Sequence, residues 1–179
     1  LSDRQIKLIK LLFEQDEKRV HKLEKLVADE LSIEHVYAIT GQTYPRKRDS
    51  LTLFVLSNIA QTAHKFAVDF RLMMHDKLVS EPFGSHQVGS SAMAYKRNPI
   101  LSEKITGLSR KVMVDALQGP LTAANQWLER SLDDSSNRRL VLAESFLVVD
   151  EILESSLKII KGLNVHEEAI NAQLQQNMP

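Results

Sequence analysis

Residues 88–104 read VGSSAMAYKRNPILSEK, a set of side chains suited to chemistry on a carboxylate. A paired hydroxyl, Ser90 and Ser91, is followed by a cation, Lys96, an amide, Asn98, and a carboxylate, Glu103. A cation and an amide together suit recognition of a carboxylate or a developing oxyanion. A serine beside them can act as a nucleophile or, less commonly, as a base whose alkoxide form is held by its surroundings. The competing reading is a solvated surface loop, with Gly and Ser as turn residues and Lys and Arg keeping it soluble. Two more polar stretches interrupt the chain, TGQTYPRK at 40–47 and LERSLDDSSNRR at 128–139. All three islands fall at helix ends, where free N–H groups and loop freedom suit ligand binding.

The elements that must position these islands are helical. Ser2 and Gln5 read as a capping box. Ile6, Ile9, Leu12, Phe13, Val20, Leu23 and Leu26 then recur at three- and four-residue steps, predicting one helix to about Leu31. The link SIEHVYAITGQTYPRKRD follows, its Gly-Gln-Thr-Tyr-Pro centre ending any helix. A second long pattern, from Leu51 through Ile59 and Phe66 to Met74, predicts a helix over about 48–78. Leu53, Phe54 and Leu56 make it apolar on more than one side. The central island occupies 79–99. A third helix starts after Pro99 and runs toward Gln118, broken or kinked by Gly119-Pro120. Candidate caps at Asp133, Asp134, Ser135 and Ser136 open a fourth, carried by Leu140, Leu147, Ile152, Leu157 and Ile160 to near Gly162. Asn164 is expected to cap a short last helix. Strand signals are nearly absent, since HVYAIT is too short to carry a sheet.

The fold class is therefore all-α, with three or four helices of about 20 to 30 residues against a usual mean of about 11 to 12. Helices this long, apolar on several faces, predict a bundle that completes itself by oligomerising. The totals narrow the function. Lys plus Arg and Asp plus Glu are both 23, so net charge gives no argument for nucleic acid or an anionic membrane surface. Cysteine is absent, which excludes disulfides and thiolate metal sites and suits a cytoplasmic location. No apolar run reaches the roughly 18 to 20 residues of a membrane span. The chain opens on Leu1 inside a helical pattern and is expected to be part of a longer protein.

GSSAMAYKRNP resembles the signature loop of the fumarase/aspartase superfamily, roughly Gly-Ser-Ser-x-Met-x-x-Lys-x-Asn-Pro, and matches it at every specified position. With TGQTYPRK upstream and LERSLDDSSNRR downstream, the chain is similar to the adenylosuccinate lyase family over nearly its whole length. The resemblance implies a cofactor-free enzyme that eliminates fumarate from adenylosuccinate and from a succinyl-aminoimidazole ribotide in purine synthesis. It implies that Ser90 is the base and that Lys96, Asn98 and Gln42 hold the succinyl group as its carbanion forms. Glu103 matches a supporting helix glutamate, and Ser91 the second loop serine. Arg130, Ser135 and Arg139 match residues that contact the nucleotide and its phosphate. Guanidinium forks and a helix start make that a sensible anion site, although Arg130 and Arg139 could instead pair with Glu129, Asp133 or Asp134.

The resemblance further implies a homotetramer whose active sites are each assembled from three subunits. Residues 1–163 would be the central helical domain and 164–179 the start of a C-terminal domain, with the N-terminal domain absent. Two departures bear on rate and affinity. Ala94 replaces a usual proline, and Lys104 keeps the charge, without the fork, of an arginine that animal-like relatives place near the substrate. The family's general-acid histidine has no counterpart before Gly41, and His64, His75 and His86 lack the expected neighbours. Two rival readings stand beside this one: a sister fumarate-releasing lyase, and a non-catalytic helical oligomerisation module.

Overall fold

In a computed structural model of the chain, the residues described are 3–14, 16–84, 97–128 and 130–177. They form two units, Leu1–Gly41 and Gln42–Pro179. The first holds α1 (Asp3–Phe13) and α2 (Glu17–Glu30) rather than one continuous helix. Apolar periodicity runs through the junction, but Glu14 has a φ of 50° and Asp16 caps α2, its carboxylate accepting from Lys18 N at 3.0 Å. A left-handed residue followed by an N-cap is a stop and a restart. Ser2, half of the expected capping box, lies outside the described residues.

In the second unit, α3 (Lys47–His75), α4 (Ile100–Asp115) and α6 (Asp133–Gly162) form a bundle, with α5 (Gln118–Ala124) against α3 and α6. The buried stripe of α3 is Leu53, Leu56, Ala60, Ala63, Ala67 and Phe70, at alternating three- and four-residue steps. Three alanines in its middle let neighbouring backbones approach closely. Ile105 and Val112 of α4 and Val149, Ile152 and Ile159 of α6 complete this core. Burying such side chains yields about 25 cal/mol per Å² of apolar surface. Gly119 extends the close packing to α5, because a Cβ there would sit 2.6 Å from Ser50 Cα.

Four sequence expectations are corrected at helix ends. The third helix stops at Asp115, and Gly119-Pro120 lie inside α5 instead of ending α4; proline is tolerated in a first turn, where no intrahelical N–H bond is lost. Among the described residues no side chain caps α6, whose Asp134 turns inward to a distant partner. Asn164 does not cap the last helix, α7 (Glu167–Asn177). It belongs to β2 (Asn164–Val165), which pairs antiparallel with β1 (Val79–Ser80), Val79 opposite Val165. This two-residue ribbon is the only sheet among the described residues.

Direction matters for function. The first turns of α3 and α6 lie together, joined by ion pairs. Ala116, just past α4, packs there against Leu53 and Val141. So α4 runs opposite to α3 and α6, and its own first turn lies at the other end, where Glu103 meets Arg71 of α3. Along α3, Asp49 at one end and Arg71 at the other are 22 residues apart, a span of about 33 Å.

Candidate functional site

At the first end, the TGQTYPRK and LERSLDDSSNRR islands meet side chain to side chain. Arg46 Nε donates to Asp134 Oδ2 at 2.5 Å across 88 positions of sequence, with side chains 4% and 1% exposed. Arg138 donates from Nε to Asp49 and from Nη2 to the Tyr44 hydroxyl, which itself donates to Asp49 Oδ1 at 2.6 Å. The Arg46 and Arg138 guanidiniums lie 4.8 and 5.4 Å from the Tyr44 ring centroid, within cation–π range. Arg130 Nε is 3.9 Å from Asp134 Oδ1.

The electrostatics follow from this geometry. Burial pushes the Asp134 carboxyl up, but the hydrogen bond and charge of Arg46, with the charges of Arg130 and Arg138, outweigh it and hold Asp134 below the usual carboxylate value. Burial raises the Tyr44 hydroxyl, and Asp49 raises it further through its hydrogen bond and charge. The Asp49 hydrogen bond raises Arg138, so this guanidinium stays charged.

The nucleotide residues implied by the resemblance sit at this end. Arg130 is partly buried, its Nε facing Asp134. Ser135 lies in the first turn of α6, its N–H donating to Leu132 O at 3.1 Å. Arg139 is exposed and makes no ion pair with the described residues. The pairing alternative thus holds for Arg130 with Asp134; Arg139 pairs with neither Asp133 nor Asp134, and Glu129 lies outside the described residues. Gln42 is exposed, two residues before Tyr44.

The central island is rooted at the opposite end. Ser90, Ser91 and Lys96 lie outside the described residues, as do Ala94 and His86. Its flanks are described. Glu81, 7% exposed, accepts from Leu101 N at 3.0 Å and from Ser102 N and Oγ at 2.7 and 2.6 Å. A carboxylate twenty positions upstream therefore caps α4, satisfying donors that have no intrahelical partner. The Arg97 guanidinium sits 4.9 Å from the Phe83 ring centroid, joining the two flanks again. Pro82 abuts the end of α6, where a Cβ on Gly162 would come within 2.5 Å of it.

Asn98 is half-buried beside Pro99, its carbonyl accepting from Ile100 N at 2.9 Å. Glu103 is exposed, 3.8 Å from Arg71. Lys104 pairs with Glu151 of α6 at 2.7 Å, and that hydrogen bond lowers the Glu151 carboxyl. A cleft of about 520 Å³ opens beside these groups, lined by Val68, Arg71, Met74, His75, Arg97 and Pro99. His75 turns instead to its neighbour Asp76, at 2.9 Å.

One chain thus brings Gln42, Arg130, Ser135 and Arg139 to one end and Asn98, Glu103 and Lys104 to the other. Sequence reasoning did not single out Arg46, Asp49, Arg138 or Glu81, and read Asp134 as a cap or a local partner of Arg130 or Arg139, not as the partner of Arg46. A usable signal was present: Arg46 and Asp49, and Arg130, Asp134 and Arg138, are opposite charges at three- and four-residue spacing around the starts of the two longest helices.

A family model described as Lyase matches residues 17–114, more than half of the chain. The chain belongs to this lyase family. Among the family's curated proteins, it is 45% identical over 168 residues to the adenylosuccinate lyase of Schizosaccharomyces pombe. It is 44% identical over 171 residues to that of Saccharomyces cerevisiae, and 39% over 162 to that of Pyrococcus abyssi. The two yeast alignments take in 94% of this chain and the archaeal one 87%, but each covers 35% of the relative. The chain therefore spans about a third of the length of these lyases. Its fold matches a solved structure, the 3-carboxy-cis,cis-muconate lactonizing enzyme of Pseudomonas putida, with a TM-score of 0.67 at 23% identity, over 84% of this chain and 32% of the other. The all-α, long-helix bundle expected for the fumarase/aspartase superfamily is the fold observed.

Proposed function

We propose that the protein carrying this chain is an adenylosuccinate lyase, a cytoplasmic enzyme of purine nucleotide synthesis. It eliminates fumarate from adenylosuccinate, giving AMP, and from the succinyl-aminoimidazole-carboxamide ribotide. The observation that carries this reading is 44–45% identity to adenylosuccinate lyases across 94% of the chain, a stretch long enough to include all three islands.

In the proposed reaction Ser90 removes a proton from the carbon beside a succinyl carboxylate. The electron pair left behind is delocalised into that carboxylate as a dianion, stabilised by Lys96 and by amide donors from Asn98 and Gln42. The pair then forms the fumarate double bond as the C–N bond breaks, and the leaving nitrogen takes up a proton. Glu103 supports the loop's charge balance, and Ser91 contributes a loop contact. Arg130, Ser135 and Arg139 hold the nucleotide and its phosphate, and Lys104 lies near the substrate. The proton donor is not assigned to any histidine of this chain.

The separation of the islands supports an active site shared between subunits. Groups roughly 20 to 35 Å apart along one bundle do not close together on one nucleotide, whereas the ends of different subunits can. Exposed apolar residues suited to cover by partner helices recur along α6 at steps of seven, four and three residues: Phe146, Leu153, Leu157 and Ile160, each 45–60% exposed. A homotetramer built on residues 1–163, with 164–179 opening a C-terminal domain, accounts for both features.

The test is fumarate release by the full-length protein from adenylosuccinate, with argininosuccinate as control. Release from adenylosuccinate alone, abolished by Ser90→Ala with substrate binding retained, is the expected result. Release only from argininosuccinate would make the protein a sister lyase. Silence on both, with a tetramer by light scattering, would leave the helical assembly module.

A further inference from the structure

Three guanidiniums, Arg46, Arg130 and Arg138, face two carboxylates, Asp49 and Asp134, and Arg46 and Arg138 also lie over the Tyr44 ring. The cluster carries one positive charge in excess and is largely removed from water. Asp134 sits at its centre, 2% exposed. One of its oxygens is engaged by Arg46; the other, Oδ1, has no hydrogen-bond partner among the described residues and lies 3.9 Å from Arg130 Nε, which is also buried without one among them. The pair is held by charge and packing rather than by a closed hydrogen bond. A guanidinium held this way along its Nε edge keeps its terminal nitrogens for a second anion. Two further buried polar atoms without partners, Gln126 Nε2 and Ser131 Oγ, flank Arg130 in sequence.

Resting on the nucleotide assignment of Arg130, we infer that Asp134 is a positioning residue. Anchored to α3 through Arg46, it aims the Arg130 guanidinium at the phosphate of the nucleotide. Asp134 does not touch the substrate; it fixes the direction of a side chain that does. A capping role fails to explain the placement, because the Asp134 carboxylate turns away from its own helix start toward a residue 88 positions away.

The test uses the full-length protein and AMP as the probe, read as a product inhibitor of fumarate release. Asp134→Asn keeps the shape and one acceptor but removes the charge. The expected result is an AMP inhibition constant raised about 10- to 100-fold, with kcat changed by no more than a few-fold. Arg130→Lys should weaken AMP strongly in the wild-type background and little further in Asp134→Asn, since the two changes disable one device. Additive effects, or an Asp134→Asn protein inhibited by AMP like wild type, would overturn the inference while leaving the activity intact. If Asp134→Asn does not fold, Arg46→Met with Asp134→Leu replaces the buried pair by apolar side chains, a change often neutral for stability. That double variant should fold and still bind AMP weakly; wild-type affinity in it would reduce Asp134 to a structural residue. A wild-type enzyme that turns over adenylosuccinate but is not inhibited by AMP would overturn the nucleotide reading and this inference with it.

Discussion

The two ends of the central bundle are built by opposite strategies. At the end where α3 and α6 begin, five charged or aromatic side chains from two distant segments lock together, and Arg46, Asp49 and Asp134 are nearly excluded from water. At the end where α4 begins, one buried carboxylate, Glu81, holds the root of the central island. Other charges there, Arg71 with Glu103 and Lys104 with Glu151, pair at the surface. The first arrangement suits a pocket set before its ligand arrives, with little ordering left to do on binding. The second fixes the described residues on both flanks of the central island, Glu81 to the start of α4 and Phe83 to Arg97.

Substitutions should expose this contrast. Arg46→Ala leaves Asp134 buried without its main partner and should cost about 3 to 5 kcal/mol, seen as a lower denaturant midpoint. A loss under about 1 kcal/mol would mean that the network is wetter than its burial indicates. Glu81→Ala removes three hydrogen bonds to a charged acceptor and uncaps α4, at about 2 to 3 kcal/mol. Hydrogen exchange should rise in the first turn of α4 and stay unchanged at the starts of α3 and α6. Equal deprotection at both ends would dissolve the distinction. Lys104→Met breaks an exposed pair and should leave the melting temperature unmoved.

Acid sharpens the comparison further. Because Asp134 titrates below its ordinary value in the folded state, its contribution is complete above the unfolded carboxylate value of about 3.9. It is lost as pH falls through the lower folded value. The stability difference between wild type and Asp134→Asn should therefore be flat above about pH 5 and shrink on further acidification. A difference growing toward acid would reverse the sign assigned to Asp134.

Much of this was readable from the sequence, in a way that follows the range of each interaction. The long helices announce themselves because apolar spacing is local, and α3 and α6 lie within a few residues of their expected bounds. The signature loop is legible as a motif. The break at Glu14 and Asp16 was missed because apolar residues continue in phase on both sides of it. The Arg46–Asp134 and Arg138–Asp49 pairs were missed because their partners lie 88 and 89 positions apart, and no window along the chain contains both. Asp134 misled for a related reason: an aspartate at a helix start is normally a cap, and only the packing of α3 against α6 turns it inward.

The smallest element has a mechanical consequence. Val79 and Ser80 lead into the central island, and their strand partners are Val165 and Asn164, just past the end of α6. His166 extends the seam, its N–H donating to Leu78 O at 2.9 Å and its ring nitrogen meeting Ser80 Oγ at 3.2 Å. A tug on α7 would therefore be felt first at the foot of the loop, two residues before Glu81, as a zipper opening from its free tab. α7 is thus a lever arm whose fulcrum is this ribbon.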